Sequence, residues 1–256
     1  MKIRSTSLLV TLLLLFSMFP SQKIDAREKK KKKKKKSHAE LVILSWDRQL
    51  EGLDQMVRAG EFERTLEAGD RLVSTMLKTR EQPSHPERQR LFGTAYMLRG
   101  LAAYGIGDER LAIWHWHVGL QIFPEIAEID LTTYGEAGRF LMKNPLNGPL
   151  PPTIQSPLPL TPELERPRRI NSTVAFPSIP AARRKSGFYK VQFKVIIDQS
   201  GVPHRFTAFN QNQVDTLLLA ATAESYVQWR FEPATLNGEP VAIYFGGQTS
   251  FSVYSQ

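Results

Sequence analysis

The chain has 256 residues, enough for two modest domains, with an ordinary apolar fraction of 41% and no cysteine, so a disulfide framework and a cysteine-linked lipid anchor are both excluded. Its formal charge of +9 is confined to one end: residues 1–36 carry 12 Lys/Arg against 2 Asp/Glu, and the remainder carries 22 against 23. The folded part is close to neutral, which excludes a generally basic nucleic-acid surface.

Residues 1–26 have the form of an export signal. Lys2 and Arg4 precede an apolar run from Leu8 to Phe19, Pro20 breaks it, and Ile24-Asp25-Ala26 offers a cleavage point. Taken from Ser5, the run rises about 22 Å as a helix against a hydrocarbon core of about 30 Å, so a cleaved signal fits better than a retained anchor. Residues 27–38 form a low-complexity tail, with Lys29, Lys30, Lys31, Lys32, Lys33, Lys34, Lys35 and Lys36 in one block. Such a block is either a solvated tail or a tether to anionic lipid or acidic envelope polymers.

Residues 39–144 carry helical periodicity. Leu41, Leu44, Leu50, Leu53 and Val57 recur at helical spacing up to Gly60, and Phe62, Leu66, Leu72, Val73 and Leu77 continue in a second helix. Pro83 and Pro86 mark a loop. Leu91–Tyr104 and Glu109–Phe123 form a second pair, turned at Gly105–Asp108 and closed by Pro124, and Leu131–Met142 reads as one more helix. The second pair resembles a tetratricopeptide repeat through Gly100, Gly107, Ala112, Trp116, Gly119 and Pro124, its small residues allowing close helix approach. That resemblance implies partner binding and no chemistry; a helical domain that only packs and spaces is the alternative. His115 and His117, two apart on a helix, point to different faces and cannot readily share a metal ion.

Residues 145–173 read as a proline-rich linker. Ten prolines fall between Pro145 and Pro180. Lacking amide donors, they exclude helix and interior strand, which predicts over residues 145–167 a semi-rigid spacer of up to about 70 Å at about 3.1 Å per residue. A docking site for a proline-binding module is the second reading.

From residue 174 to 256 the period changes to two. Tyr189, Val191, Phe193, Val195 and Ile197 alternate with polar residues, Asp198–Gly201 supplies a turn, and Val202–Phe209 returns as a second strand. Val214, Leu217, Leu218, Ala221, Ser225 and Trp229 share a helix face. Asn237-Gly238 turns the chain into a long last strand, in which Gly246-Gly247 suggests a bulge or bend. The expected fold is helical hairpins followed by an α+β domain, β-β-α-β, with a helix on a three-stranded antiparallel sheet.

This last segment resembles the C-terminal domain of the TonB family, energy transducers of the Gram-negative envelope. The resemblance rests on Phe176-Pro177, Gly187, Asp198 with Gly201, Trp229-Arg230-Phe231, Pro233-Ala234, and Gly238 with Pro240-Val241. It implies a non-enzymatic protein that captures a peptide of an outer-membrane transporter as an added strand, in the periplasm or held at the inner membrane if the signal is retained. The expected edge strand carries Val241, Ile243, Phe245, Gln248, Phe251, Val253 and Tyr254, with proline at Phe245 or Phe251 as the probe of capture. Trp229, Phe231, Pro233 and Gly238 are expected to form a corner of the fold. The family's membrane helix carries a histidine; here the first histidine is His38, and Val174-Ala175 stands where many relatives have glutamine-proline. A soluble periplasmic scaffold without energy transduction is therefore the second reading. No cofactor or metal is expected. A hydrolase is the remote third: there is no P-loop, GxSxG, HExxH or dinucleotide glycine pattern, and one hairpin cannot readily aim Asp198, Ser200 and His204 as a triad.

Overall fold

A computed structural model describes residues 37–80, 82–150, 154, 156–170, 187–211 and 214–253. The signal, the lysine block, Phe176-Pro177 and Tyr254 lie outside the described residues. Among those described, no helix is long and apolar enough to cross a membrane.

Helices α1 (His38–Arg58), α2 (Phe62–Lys78), α3 (His85–Gly105) and α4 (Glu109–Ile122) follow one another. Ser37 and Glu40 form a capping box that starts α1. Helix α3 begins six residues before the apolar pattern does, because Pro86 sits in its first turn, where no amide donor is needed. The predicted helix at 131–142 is split: a 3-10 turn (Leu131–Tyr134) leads into α5 (Gly135–Lys143), and Gly135 at φ +64° separates them.

After the proline-rich stretch come β1 (Arg168–Arg169), β2 (Gly187–Ile197), β3 (Pro203–Ala208), α6 (Thr216–Tyr226), β4 (Phe231–Glu232), β5 (Ala234–Leu236), β6 (Glu239–Val241) and β7 (Ile243–Val253). The main sheet is antiparallel in the order β3-β2-β7; β1 pairs with β4, and β5 with β6. The whole is an α+β protein of six helices and antiparallel sheets among the described residues. Val241 lies in the small β5–β6 hairpin opposite Ala234, not on the last strand, because Asn237 and Gly238 both take positive φ and turn the chain tightly. No bulge occurs at Gly246-Gly247, where the β2–β7 register runs unbroken from Ile197↔Ile243 to Gly187↔Val253. Gly247 is required for another reason: the Phe193 ring lies across it, where a Cβ would sit. The irregularity falls instead between β2 and β3, at Lys194/Ile196, where Arg205 takes φ +46°.

The described residues form one compact unit. Helix α6 is its centre. Every residue of this helix except Glu224 is buried, since one side packs on Val191, Phe193, Val195 and Phe206 of the sheet and the other on α3 and α4. Asp215 caps α6 through the Leu217 N–H and also pairs with Arg88 of α3 at 2.9 Å. The Arg99 side chain, only 4% exposed, passes over Gly69 to reach Glu224 of α6 and Asp70 of α2, each at 2.6 Å.

Helix α4 is buried on both sides, so both of its histidines are enclosed. Burial holds His117 down to about 4, with nearby Arg205 adding repulsion, and its Nε2 donates to the Asn144 carbonyl at 3.1 Å. Burial likewise holds His115 well below its ordinary range, aided by Arg99 and Arg110. Below about pH 6.5 an unfolded chain binds protons that these folded imidazoles refuse, so stability falls as the pH drops from 6.5 to 4. His117 accounts for roughly 3 kcal/mol of that loss. Urea midpoints compared at pH 7.5 and 4.5 should fall less steeply in His117→Gln than in the parent.

The described residues of the proline-rich stretch lie against the sheet. Arg205 holds the carbonyls of Gly148 and Pro149 at 2.6 Å, and Ile154 and Leu150 pack on Ile196 and Ala242 on the outer face of the sheet. Leu158 then bridges Ile243, Leu164 enters the main core, and Glu165 pairs with Thr235. Prolines exclude a continuous ladder, but they leave isolated bridges and the aliphatic residues between them free to pack.

Candidate functional site

A three-stranded sheet has two edges, and this chain treats them differently. The β3 edge is sealed by Gln121 of α4, a side chain buried to 95%: Nε2 donates to the Phe206 carbonyl at 2.9 Å, and Oε1 accepts from the Ala208 N–H at 2.6 Å. Arg110 donates to the Pro203 carbonyl on the same edge. One amide thus makes the two bonds that a neighbouring strand would make.

Among the described residues the β7 edge carries no such side-chain seal. Tyr244 donates its N–H away from β2, to the Leu158 carbonyl at 3.0 Å, and the Ala242 carbonyl accepts from the Leu158 N–H at 2.9 Å. Backbone direction alternates along a strand, so Ala242, Tyr244, Gly246, Gln248, Ser250 and Ser252 face outward, while Ile243, Phe245, Gly247, Thr249, Phe251 and Val253 face β2. From Gly246 onward no backbone group among the described residues pairs with the outward ones. Residues 243–253 contain neither a charge nor a proline, the two devices that commonly blunt an edge. Gly246, with open space around its Cβ position, leaves room at the middle.

Of the expected edge residues that are described, Gln248 alone presents its backbone outward. Ile243, Phe245, Phe251 and Val253 bond to β2, and Val241 stands outside the strand. Tyr244, Gly246 and Ser250 were missed because alternation in sequence shows only which residues are apolar, whereas the outward backbone belongs to the polar set between them. Proline at Phe245 or Phe251 would therefore break the β2–β7 ladder. The informative positions are Gln248 and Ser250.

Of the corner residues, Trp229 and Phe231 pack together. Trp229 is 8% exposed and lies 3.9 Å from the Tyr226 ring and 6.0 Å from Phe231, with the Arg169 guanidinium 4.4 Å over its other side. Gly238 takes φ +85° in the hairpin turn.

Asp198 is the hub of the β2–β3 turn. It accepts from the Ser200 hydroxyl at 2.7 Å, from the N–H groups of Ser200 and Val202, and pairs with His204 Nε2 at 2.7 Å. Burial raises its carboxyl, but these partners outweigh burial and bring it to about 2. Serine and histidine both address the carboxylate, and neither addresses the other, so the cluster braces a hairpin. Among the described residues no group of three or more His, Cys, Asp or Glu side chains could hold a metal.

A second concavity of about 680 Å³ lies between α1 and α3, with Leu50, Met97 and Leu98 below and Asp47–Arg90 and Asp54–Arg58 pairs along its rim. Tyr134 closes one end, hydrogen-bonded to Asp54 and lying under Arg58. No protein-family model, curated protein or solved structure matches this chain.

Proposed function

We propose that the chain is a non-enzymatic adaptor of the Gram-negative cell envelope that captures an extended peptide segment by strand addition at β7, in the manner its resemblance to the TonB C-terminal domain implies. The observation that carries this reading is the contrast between the two sheet edges: β3 sealed by Gln121, β7 presenting Gly246, Gln248 and Ser250 uncharged and unpaired among the described residues. Main-chain bonds would supply most of the hold, and strand geometry would count for more than side-chain identity. An outer-membrane transport protein is the partner class that the resemblance suggests. The α1–α2 and α3–α4 pairs are read as tetratricopeptide-like hairpins: Gly100 lies against Ala112 and Trp116, Gly119 lies against Gly93 and Tyr96, and Gly107 turns at φ +84°. In the same reading β2, β3, α6 and β7 form the β-β-α-β unit.

A soluble scaffold without energy transduction is the second reading, and one observation favours it. The helical part is joined to α6 through Arg99–Glu224 and Arg88–Asp215, which would hold the α1–α3 concavity and the β7 edge in a fixed relation. A device that reaches across the envelope needs a spacer, and the described residues of the proline-rich stretch are instead packed on the sheet.

The test uses a strand-forming peptide selected on the folded protein from a displayed library and titrated by calorimetry. Gln248→Pro and Ser250→Pro each remove one outward N–H, and each should weaken binding about tenfold or more, near the value of one main-chain bond. Folded variants that bind undiminished would overturn capture at this edge.

A further inference from the structure

One part of the β7 edge is already occupied, and its occupant is the chain itself. Leu158 makes a parallel bridge to Ile243 through two backbone bonds, its N–H to the Ala242 carbonyl and its carbonyl from the Tyr244 N–H. The bridge is isolated: Ser156 and Leu160, the next residues a parallel ladder would use, make no backbone bond to β7 among the described residues. Four residues earlier, Ile154 is buried on the outer face with Ile196, Ala242 and Leu150, while Leu158 packs against the main core. The described residues thus stand on both sides of the edge, Ile154 at the outer face and Leu158 toward the core. They are flanked by anchors, Arg205 on Gly148 and Pro149 and Glu165 on Thr235. Among the described residues, the middle holds to the sheet by the two bonds and the two aliphatic side chains.

We propose that Ile154 and Leu158 are a displaceable internal ligand of the docking edge, and that a partner enters by replacing them: an extended segment running parallel to β7, with an aliphatic residue at the position Leu158 holds. This rests on the reading of β7 as a capture edge. A segment that stays extended beyond the Leu158 position would carry the pairing past Tyr244 onto Gly246, Gln248 and Ser250, and so make bonds that the internal occupant, bridged at Leu158 alone among its described residues, does not make. The anchors keep the displaced strap close, ready to return when the partner leaves.

The experiment uses the full chain and the synthetic peptide TIQSPLPLT, residues 153–161. Leu158→Asp expels the strap from the edge, and the folded variant should bind this peptide at least about tenfold more tightly than the parent, where the tethered copy competes at an effective concentration on the order of millimolar. Adding Tyr244→Pro, which removes the N–H that Leu158 uses, should abolish the binding. Equal binding to both proteins, no binding to the folded variant, or binding that survives Tyr244→Pro would overturn the proposal. In the unaltered protein, the Leu158 amide should exchange at least about 100-fold faster than that of Val195 in the central strand, by local opening. Exchange of both at one rate would make the strap a fixed part of the fold and would equally overturn it. Capture of a selected peptide that depends on Gln248 and Ser250 but ignores the strap would leave the capture reading standing and sink this inference alone.

Discussion

Glu224→Ala is expected to destabilise the protein by about 3–5 kcal/mol, because it leaves the Arg99 guanidinium buried without its main partner. Arg99 is 4% exposed and bidentate to Glu224, with Nη1 at 2.6 Å and Nη2 at 3.2 Å. Asp70, 61% exposed, is the weaker partner, and Asp70→Ala should cost about 1 kcal/mol or less. Burial opposes the charge on Arg99, but the two carboxylates outweigh burial and raise its pKa. The guanidinium also lies 5.2 Å over the Tyr96 ring, and the Tyr96 hydroxyl donates to Ala220 of α6 at 3.4 Å. Loss of Glu224 should therefore loosen α6 from α2 and α3 together. Urea unfolding followed by tryptophan fluorescence and by far-ultraviolet dichroism should show one transition in the parent. The double variant Arg99→Met/Glu224→Leu should recover most of the loss, since matched apolar side chains replace a buried ion pair at little cost. A Glu224→Ala loss below 1 kcal/mol would show that the pair does not join the helices to the sheet domain.

Gly201→Ala is the second large effect, on the order of 3 kcal/mol. Gly201 sits at φ +78° in the β2–β3 turn, donates to the Asp198 carbonyl, and accepts from the Phe231 N–H at 2.9 Å. A Cβ there would overlap the Phe231 carbonyl oxygen. The substitution adds left-handed strain of about 1–2 kcal/mol to an overpacking penalty of about 1–3 kcal/mol. Gly238→Ala is the control: its φ is +85°, yet nothing lies within 4 Å of the added carbon, so it should cost only about 1 kcal/mol. Equal losses for the two, read from urea midpoints, would mean that the turn does not press on the corner at Phe231. The TonB resemblance names Gly201 and Phe231 as separate features, whereas the packing makes them one contact.

Much of this fold was legible in the sequence. Spacing of apolar residues located α1, α2, α4 and the strands β2 and β3 to within a few residues, and Asn237-Gly238 marked its turn. Two features were present but misread. Thr216–Tyr226 has almost no polar face, which signals a helix buried on both sides, yet only the side toward the sheet was assigned. Ile154, Leu158 and Leu164 punctuate the proline-rich stretch at positions that pack, while the prolines around them suggested only a spacer. Other features were not legible at all. Arg99 stands in an apolar run as a residue in need of a partner, but Glu224 lies 125 residues away and is chosen only by docking. The seal that Gln121 places on β3 depends on the same docking, and without it the two edges could not be told apart.

Hydrogen exchange at individual amides, measured by NMR with and without the selected strand peptide, tests the capture edge most directly. Gly247 and Thr249, bonded to β2, should be protected in both states. Gly246, Gln248 and Ser250 should exchange rapidly in the free protein and become protected when the peptide binds. Protection that appears instead at Phe206 and Ala208 on the β3 edge, or amides at Gly246, Gln248 and Ser250 that stay fast in the complex, would contradict strand addition at β7.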